Sequence, residues 1–578
     1  MSETVSETGS ETRWPGGMAE RMAAIAKTGT VDVVIVGAGV NGAGLFRDLC
    51  AQGLTCLILD KSDYGSGTSA APSRLIHGGL KYLETGELRL VAQSTYERNL
   101  LLRNAPHYVK PLATVIPIFS WTKGVWSAVR TLFGAKGTPR SRGALLIKTG
   151  LSMYDAYGAR QRVMPRHTMA GKAASLRSLP ALTPRIVATG TYYDATVTHP
   201  ERLVAELVRD GLAASPTSAA VNHARLENRA FDTLVISSLL NGAPLRVKPR
   251  LVVNAGGPWI DAVNATLGET SRMIGGTKGS HILLRHDALL KELAGRMIYF
   301  EADDGRICLV FDYLGRAMVG STDIKADQPD SVRCEDDEID YLLDSLGKLL
   351  PKMQFDRSQI VYTYSGIRPL PANDAKDPGL ISRDHVTPVL EPMGDRPFPV
   401  LSLVGGKWTT FRGYAEEVAD TVLKRLGQAR KVTTEAMPIG GGLDYPTDDA
   451  ARHRLVAEIA ATSGLSQAQA EALFARYGTT ARAVALHIAA SSAVSLPDAV
   501  DHFEGEIDYL VRHEQVGRLS DIVLRRTALA VTGTLTLHLL RRIAEIAGRV
   551  LDWNEAKIEQ EIESVRDELS RLHGVTLA

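Results

Sequence analysis

The stretch VDVVIVGAGVNGAGLFRDL, residues 31 to 49, leaves the chain few ways to fold. Apolar β-formers from Val33 to Val36 end at Gly37, and a helical pattern resumes within a few residues, so the order is strand, tight turn, helix. Gly37 permits the turn, Gly39 lets backbone approach a pyrophosphate, and Gly42 allows close helix-on-strand packing; phosphates are expected at the helix N-terminus. A second strand, LTCLILD, ends in Asp60, where a carboxylate can accept hydrogen bonds from both hydroxyls of a ribose. These features together predict an adenine dinucleotide site. The bland alternative is an ordinary glycine turn in an α/β domain.

At 578 residues the chain exceeds one compact core, so two or three domains are expected. With 66 Lys plus Arg against 65 Asp plus Glu, global charge makes no case for a nucleic-acid binder, and an anionic substrate must be met locally. Cys50, Cys56, Cys308 and Cys334 form no CxxC pair and have no His-rich partner spacing, which suggests neither a metal site nor a redox dithiol and fits a reducing compartment. The opening MSETVSETGSETRWPGG has no basic n-region and no apolar h-region; residues 1–30 are expected to be a disordered tail, with Met18 as an alternative start. No run of 18 apolar residues occurs, which excludes a spanning helix but not attachment to a membrane surface.

A single GxGxxG fits either NAD alone or FAD reacting with something other than a nicotinamide. After Asp60 comes KSDYGSGTSAAPSRLIHGGLKYLE, rich in small residues and hydroxyls. Such a loop suits the extended pyrophosphate and ribityl chain of FAD, with Gly78 and Gly79 letting backbone lie near a flat ring. By composition alone a surface loop is equally allowed.

SAAPSRLIHGGLKYLE, RLVAQSTYERNLLLRNAPHYV, VVNAGGPW, TKGSHILL, VGSTD, YTYSGIRPL, ISRD and VGGKWTTFR together resemble the FAD-dependent glycerol-3-phosphate dehydrogenase family, whose relatives include erythritol-phosphate dehydrogenases. EIDYLVRHEQVGRLSDIVLRRT is similar to that family's helical C-terminal domain. The resemblance implies an α/β chain: a discontinuous Rossmann-like FAD-binding domain (31–110, 190–275, 360–435), an inserted antiparallel-sheet substrate domain (111–189, 276–359) and an all-α C-terminal domain (440–578). It also implies FAD contacts at Thr68, Ser69, Ser73, Gly78, Gly256, Gly406 and Thr409, beside Gly37, Gly39, Gly42 and Asp60. Texture agrees: residues 451–572 lack strand-like runs and show helical spacing, as in Leu524, Ala528 and Val531 or Leu539, Ile543 and Ile546.

The family oxidises the C2 hydroxyl of a phosphorylated polyol, so the resemblance implies groups that hold a dianion and accept a proton. Arg368, Arg383 and Lys407 match family positions near the substrate, and Arg368, between a Ser-Gly turn and Pro369, is framed as part of a fixed loop rather than a solvated charge. His281 is the first choice for the base and His77 the second; each is also readable as a satisfied buried histidine. Tyr82 is either a substrate ligand or an aromatic edge. Lys81 stands where the family usually has arginine, and His199, Pro200 and Glu201 stand where it typically has an acidic pair. Both departures leave room for a four-carbon polyol phosphate in place of sn-glycerol 3-phosphate. A non-catalytic flavin-fold binding protein is the alternative from another class.

Reduced flavin needs an acceptor, and without a second dinucleotide fold the resemblance implies a quinone, reached by peripheral attachment to the inner face of the cytoplasmic membrane; a homodimer is compatible with this. The expected contact lies in residues 118–148, where Trp121, Trp126, Leu132 and Phe133 are interspersed with Lys123, Arg130, Lys136, Arg140 and Arg142. The same aromatics at helical spacing are equally readable as core.

Overall fold

The computed structural model describes residues 18–80, 87–121, 144–158, 163–240, 244–326, 328–372 and 384–578. The glycine-rich stretch folds as its pattern predicts: β1 (Thr30–Val36), a turn at Gly37, and the helix α2 (Val40–Ala51), which follows the N-terminal helix α1 (Met18–Thr28). β1 is flanked in parallel by β2 (Cys56–Leu59) and β10 (Leu245–Asn254). The sheet continues through β7 (Ala219–Val221) beyond β2, and through β18 (Val400–Ser402) and β17 (Val389–Leu390) beyond β10. A hairpin of β8 (Ala224–Ala230) and β9 (Thr233–Ser238) joins β10 by antiparallel pairing. The central strands are apolar on both faces, as a parallel sheet covered on both sides requires. On one face α2 packs between the helices Pro200–Ala214 and Phe411–Leu426.

Among the described residues the second sheet has ten strands in the order β15-β11-β14-β13-β12-β4-β6-β3, with β16 on β11 and β5 on β6. These are β3 (Leu75–Ile76), β4 (Val109–Ile118), β5 (Thr168–Gly171), β6 (Ala188–Val197), β11 (Thr277–Leu284), β12 (Arg296–Glu301), β13 (Ile307–Tyr313), β14 (Arg316–Gly320), β15 (Ile324–Lys325) and β16 (Ile360–Arg368). It is mainly antiparallel, with β4 and β12 parallel. The expected partition is corrected here, since β3, β6 and β16 belong by hydrogen bonding to this sheet rather than to the FAD-binding sheet. One face carries the helix Asp336–Leu349 through Ile282, Leu284, Leu342 and Leu346. The other meets the C-terminal helices, with Leu283, Tyr362 and Tyr364 in one core with Leu539, Ile543 and Val565. That C-terminal region is helical apart from a two-stranded hairpin, Ser495–Leu496 with Ala499–Phe503.

The expected tail is also corrected in part. Ile25 of α1 is buried against Val31, Ala219 and Leu234, and Arg21 donates from Nη1 to the carbonyls of Ser215 (2.7 Å) and Ser218 (2.8 Å). The guanidinium thereby satisfies carbonyls at and beyond the C-terminus of a helix, a favourable place for a cation. The four cysteines are free thiols, and among the described residues no helix is long and apolar enough to cross a membrane.

Candidate active site

The α2 N-terminus is built for close approach. Gly37 has φ 105°, and a Cβ there would lie 2.5 Å from the carbonyl oxygen of Ala255; a Cβ on Gly42 would lie 2.0 Å from that of Gly37. Only glycine fits at either place. Gly39 caps the helix without a side chain, and Ser69 Oγ stands in front of it, accepting from the backbone N–H of Val40 at 2.9 Å. Asp60 closes the β2 end, its carboxylate accepting from Ala38 N–H (2.7 Å) and Ser62 N–H (2.9 Å) while burial pushes its pKa up to about 6.

Two further expected segments arrive at the same place. Trp408 Nε1 donates to the Ser69 carbonyl (3.1 Å), and Thr409 Oγ1 accepts from His77 N–H (3.1 Å). Gly406, at φ 90°, passes so near Asn41 that a Cβ would sit 2.9 Å from its Nδ2. Lys407 Nζ donates to Ser94 Oγ at 3.2 Å, on the helix α3 (Leu88–Asn104). Gly256 N–H donates to Asn254 Oδ1 (3.1 Å) at the end of β10. The Gly78 N–H is occupied by Tyr154 Oη (2.8 Å) and Asp194 Oδ1 (3.2 Å), within a buried cluster that Arg98 completes.

A second cluster lies on β11 and β16 and faces the loop after β2. Strand alternation puts Thr277, Gly279 and His281 on one face, with Tyr364, Gly366 and Arg368 beside them by register. Thr68 Oγ1 donates to the Ile367 carbonyl (2.6 Å), and Ser73 Oγ is 2.8 Å from His281 Nε2. His281 is buried and stacked on Tyr364 with ring centroids 4.8 Å apart. Burial, helped by the charges of Arg368 and Arg74, depresses its pKa to about 3. Arg368 spans the bare backbone of Gly279 and donates to Asp323 Oδ1 (3.0 Å), Ser321 Oγ (3.2 Å) and the Thr322 carbonyl (3.4 Å).

Several partners escaped the sequence reading. Arg74 donates to both oxygens of Glu201, at 2.8 and 3.0 Å, in a buried pair behind the loop that carries Ser73. Glu201 is therefore committed to supporting this loop. Asp63, three residues past Asp60, is gripped by Arg525 and Arg526 of the C-terminal region. Lys81, Tyr82 and Arg383 lie outside the described residues, as does 122–143 with Lys123, Trp126, Arg130, Leu132, Phe133, Lys136, Arg140 and Arg142. Trp121, at the edge of that segment, is 59 % exposed.

A family model described as FAD dependent oxidoreductase matches residues 32–421, and one for the C-terminal domain of alpha-glycerophosphate oxidase matches 432–558. A glycerol-3-phosphate dehydrogenase of Synechocystis is 31 % identical over 563 residues, 93 % of this chain and 96 % of that protein. The chain belongs to the FAD-dependent glycerol-3-phosphate dehydrogenase family. The aerobic enzyme of Escherichia coli is likewise 31 % identical, covering 86 % of this chain and 94 % of its own length. Among solved structures, the Bacillus halodurans glycerol-3-phosphate dehydrogenase complexed with FAD superposes with a TM-score of 0.73 over 97 % of this chain and 98 % of that one, at 21 % identity, which speaks for the fold. This member of the family is an oxidoreductase with FAD as cofactor. Its residues fit that cofactor: the glycines at 37, 39, 42 and 406 leave backbone where side chains would stand, and the α2 N-terminus, whose cap residue Gly39 has no side chain, is open to close approach by phosphate.

Proposed function

We propose that the enzyme oxidises the C2 hydroxyl of a polyol phosphate, sn-glycerol 3-phosphate first, to dihydroxyacetone phosphate, with a quinone as the eventual electron acceptor. The observation that carries this reading is the shared face of β11 and β16, where Arg368 and His281 lie under the loop of Thr68 and Ser73. FAD, when bound, supplies the hydride acceptor.

Arg368 holds the substrate phosphate: its side chain is partly exposed, Asp323 fixes one arm, and the planar guanidinium matches a phosphate in a forked contact. Lys407 adds a second cation. His281 takes the hydroxyl proton, being neutral at pH 7 because burial disfavours its charged form. Since the ring is buried and Ser73 is only partly so, the proton reaches Nε2 through Ser73 Oγ. His77 is the second choice for the base; its backbone N–H is spent on Thr409.

The acceptor reading rests on chemistry and on texture. Phe119 (41 % exposed) and Trp121 (59 % exposed) lead into the basic segment 122–143, the proposed contact with the inner face of an anionic membrane. Flotation with anionic vesicles tests it, and a Trp121→Ser chain should float less.

The experiment for the reaction uses sn-glycerol 3-phosphate deuterated at C2. A primary isotope effect on the reductive step, with one dihydroxyacetone phosphate per two electrons, is the expected result. Absence of that product overturns the reading. Erythritol phosphate run in parallel decides the four-carbon alternative that Lys81 raises.

A further inference from the structure

The sheet that carries Arg368 and His281 has a second face, and a carboxylate is buried there. Glu338, in the first turn of the helix Asp336–Leu349, is 2 % exposed, and its two oxygens are fully engaged. Oε1 accepts from Ser280 Oγ (2.8 Å) and Thr322 Oγ1 (2.6 Å); Oε2 accepts from the Glu335 N–H (3.0 Å) and from Lys278 Nζ (2.6 Å). Ser280 Oγ also lies 2.6 Å from Ser365 Oγ, so the carboxylate ties β11 to β16. Lys278 and Ser280 alternate with Thr277, Gly279 and His281, which puts Glu338 behind the strands and out of reach of the substrate face.

The link to the site runs through Thr322. Its hydroxyl accepts from the Ser280 N–H (2.9 Å) while donating to Glu338. The segment it anchors, Ser321 to Asp323, supplies three groups to which Arg368 donates. A buried ion pair is weak support for stability, because well-packed apolar residues do as well or better. Here the carboxylate sits where four donors from three segments meet, and one of those segments aims the arginine.

We infer that Glu338 is a positioning residue: from the far face of the sheet it fixes Thr322 and the Ser321–Asp323 segment, and so orients the Arg368 guanidinium for the substrate phosphate. This rests on the reading of Arg368 as the phosphate ligand. The carboxylate touches neither substrate nor cofactor, so its loss moves substrate affinity and leaves FAD content and the chemical step largely intact.

The test measures KM and kcat for sn-glycerol 3-phosphate, FAD content and thermal midpoint in Glu338→Gln, Glu338→Met, Ser280→Ala and Arg368→Gln. Glu506→Gln is the control, because Glu506 is equally buried and ion-paired, to Arg476 at 3.0 Å in the C-terminal region. The expected result is a rise in KM of roughly tenfold in Glu338→Gln, more in Glu338→Met and a few-fold in Ser280→Ala, with kcat within about twofold and FAD retained. Glu506→Gln should lower the midpoint without moving KM. A raised KM in Arg368→Gln with unchanged KM in both Glu338→Gln and Ser280→Ala overturns the inference alone. An unchanged KM in Arg368→Gln overturns the phosphate reading and the inference with it. Ser280→Ala removes a single hydroxyl, so it decides the matter if the Glu338 variants do not fold.

Discussion

Replacing Arg526 with methionine is expected to lower stability sharply while leaving the catalytic groups in place. Arg526 and Asp63 are each 0 % exposed at the side chain, and the guanidinium donates to Asp63 Oδ2 (2.7 Å), Asp63 Oδ1 (3.0 Å) and the Glu514 carbonyl (3.0 Å). Asp63 keeps Arg525 at 2.9 Å and Asn222 at 2.9 Å but loses its bidentate partner. Removing one member of a buried pair costs about 3–5 kcal/mol, mostly through the charge left behind. For a cooperative unit of ordinary domain size this is a fall in Tm of roughly 10 °C. Circular dichroism melting of the FAD-saturated enzyme at one scan rate is the assay, and the double variant Asp63→Asn/Arg526→Met should lose much less than the sum of the singles. A shift below about 3 °C in Arg526→Met, or strict additivity in the double variant, would refute the view that this pair clamps the C-terminal region onto the loop after Asp60.

Further outcomes follow from the cofactor cradle and the site. Gly42→Ala should abolish FAD retention in gel-filtered protein, because a Cβ there meets the Gly37 carbonyl oxygen at 2.0 Å, while Gly171→Ala, where nothing lies within 4 Å, should retain it. Lys407→Met should reduce kcat/KM roughly tenfold to a hundredfold at unchanged FAD content, by loss of a charged contact of about 1.5–3 kcal/mol. The imidazoles of His199 and His281 are both held near 3 in the fold against an ordinary 6.5, chiefly by burial. The unfolded chain therefore binds the extra protons, so this part of the stability is intact above about pH 6.5 and is lost as pH falls toward 3, by up to about 1.4 kcal/mol per unit for each group. Urea unfolding at pH 6.5 and 5 should show His281→Gln losing about 2 kcal/mol less than the parent over that interval; parallel losses would remove His281 as a source.

What could be read early was local. β1, the turn at Gly37 and α2 follow from a continuous apolar run and glycines whose spacing has one geometric use. FAD and the family were legible for the same reason, since each motif is a contiguous string. Sheet membership was not, because β3 and β16 find their partners 121 and 91 residues away in the register pairs Leu75↔Thr196 and Thr277↔Arg368, and these strands differ from those of the FAD sheet by no compositional mark. The α1 helix was missed because its three apolar anchors, Met18, Met22 and Ile25, follow a polar repeat, and its hold on Ser215 and Ser218 depends on Arg21 meeting carbonyls far along the chain. Glu201 was read as a departure bearing on substrate, whereas its carboxylate is spent on Arg74. The Asp63, Arg525 and Arg526 cluster left no signal either, as its members are ordinary surface types until folding buries them.

The central claim is that this flavoenzyme draws electrons from the C2–H of a polyol held by its phosphate. Anaerobic mixing of the FAD-loaded enzyme with sn-glycerol 3-phosphate, and separately with glycerol, tests it most directly. Rapid, saturable bleaching of the flavin absorbance is expected with the phosphorylated polyol, and little or none with its unphosphorylated parent at the same concentration. Bleaching by neither, or equal bleaching by both, would contradict it.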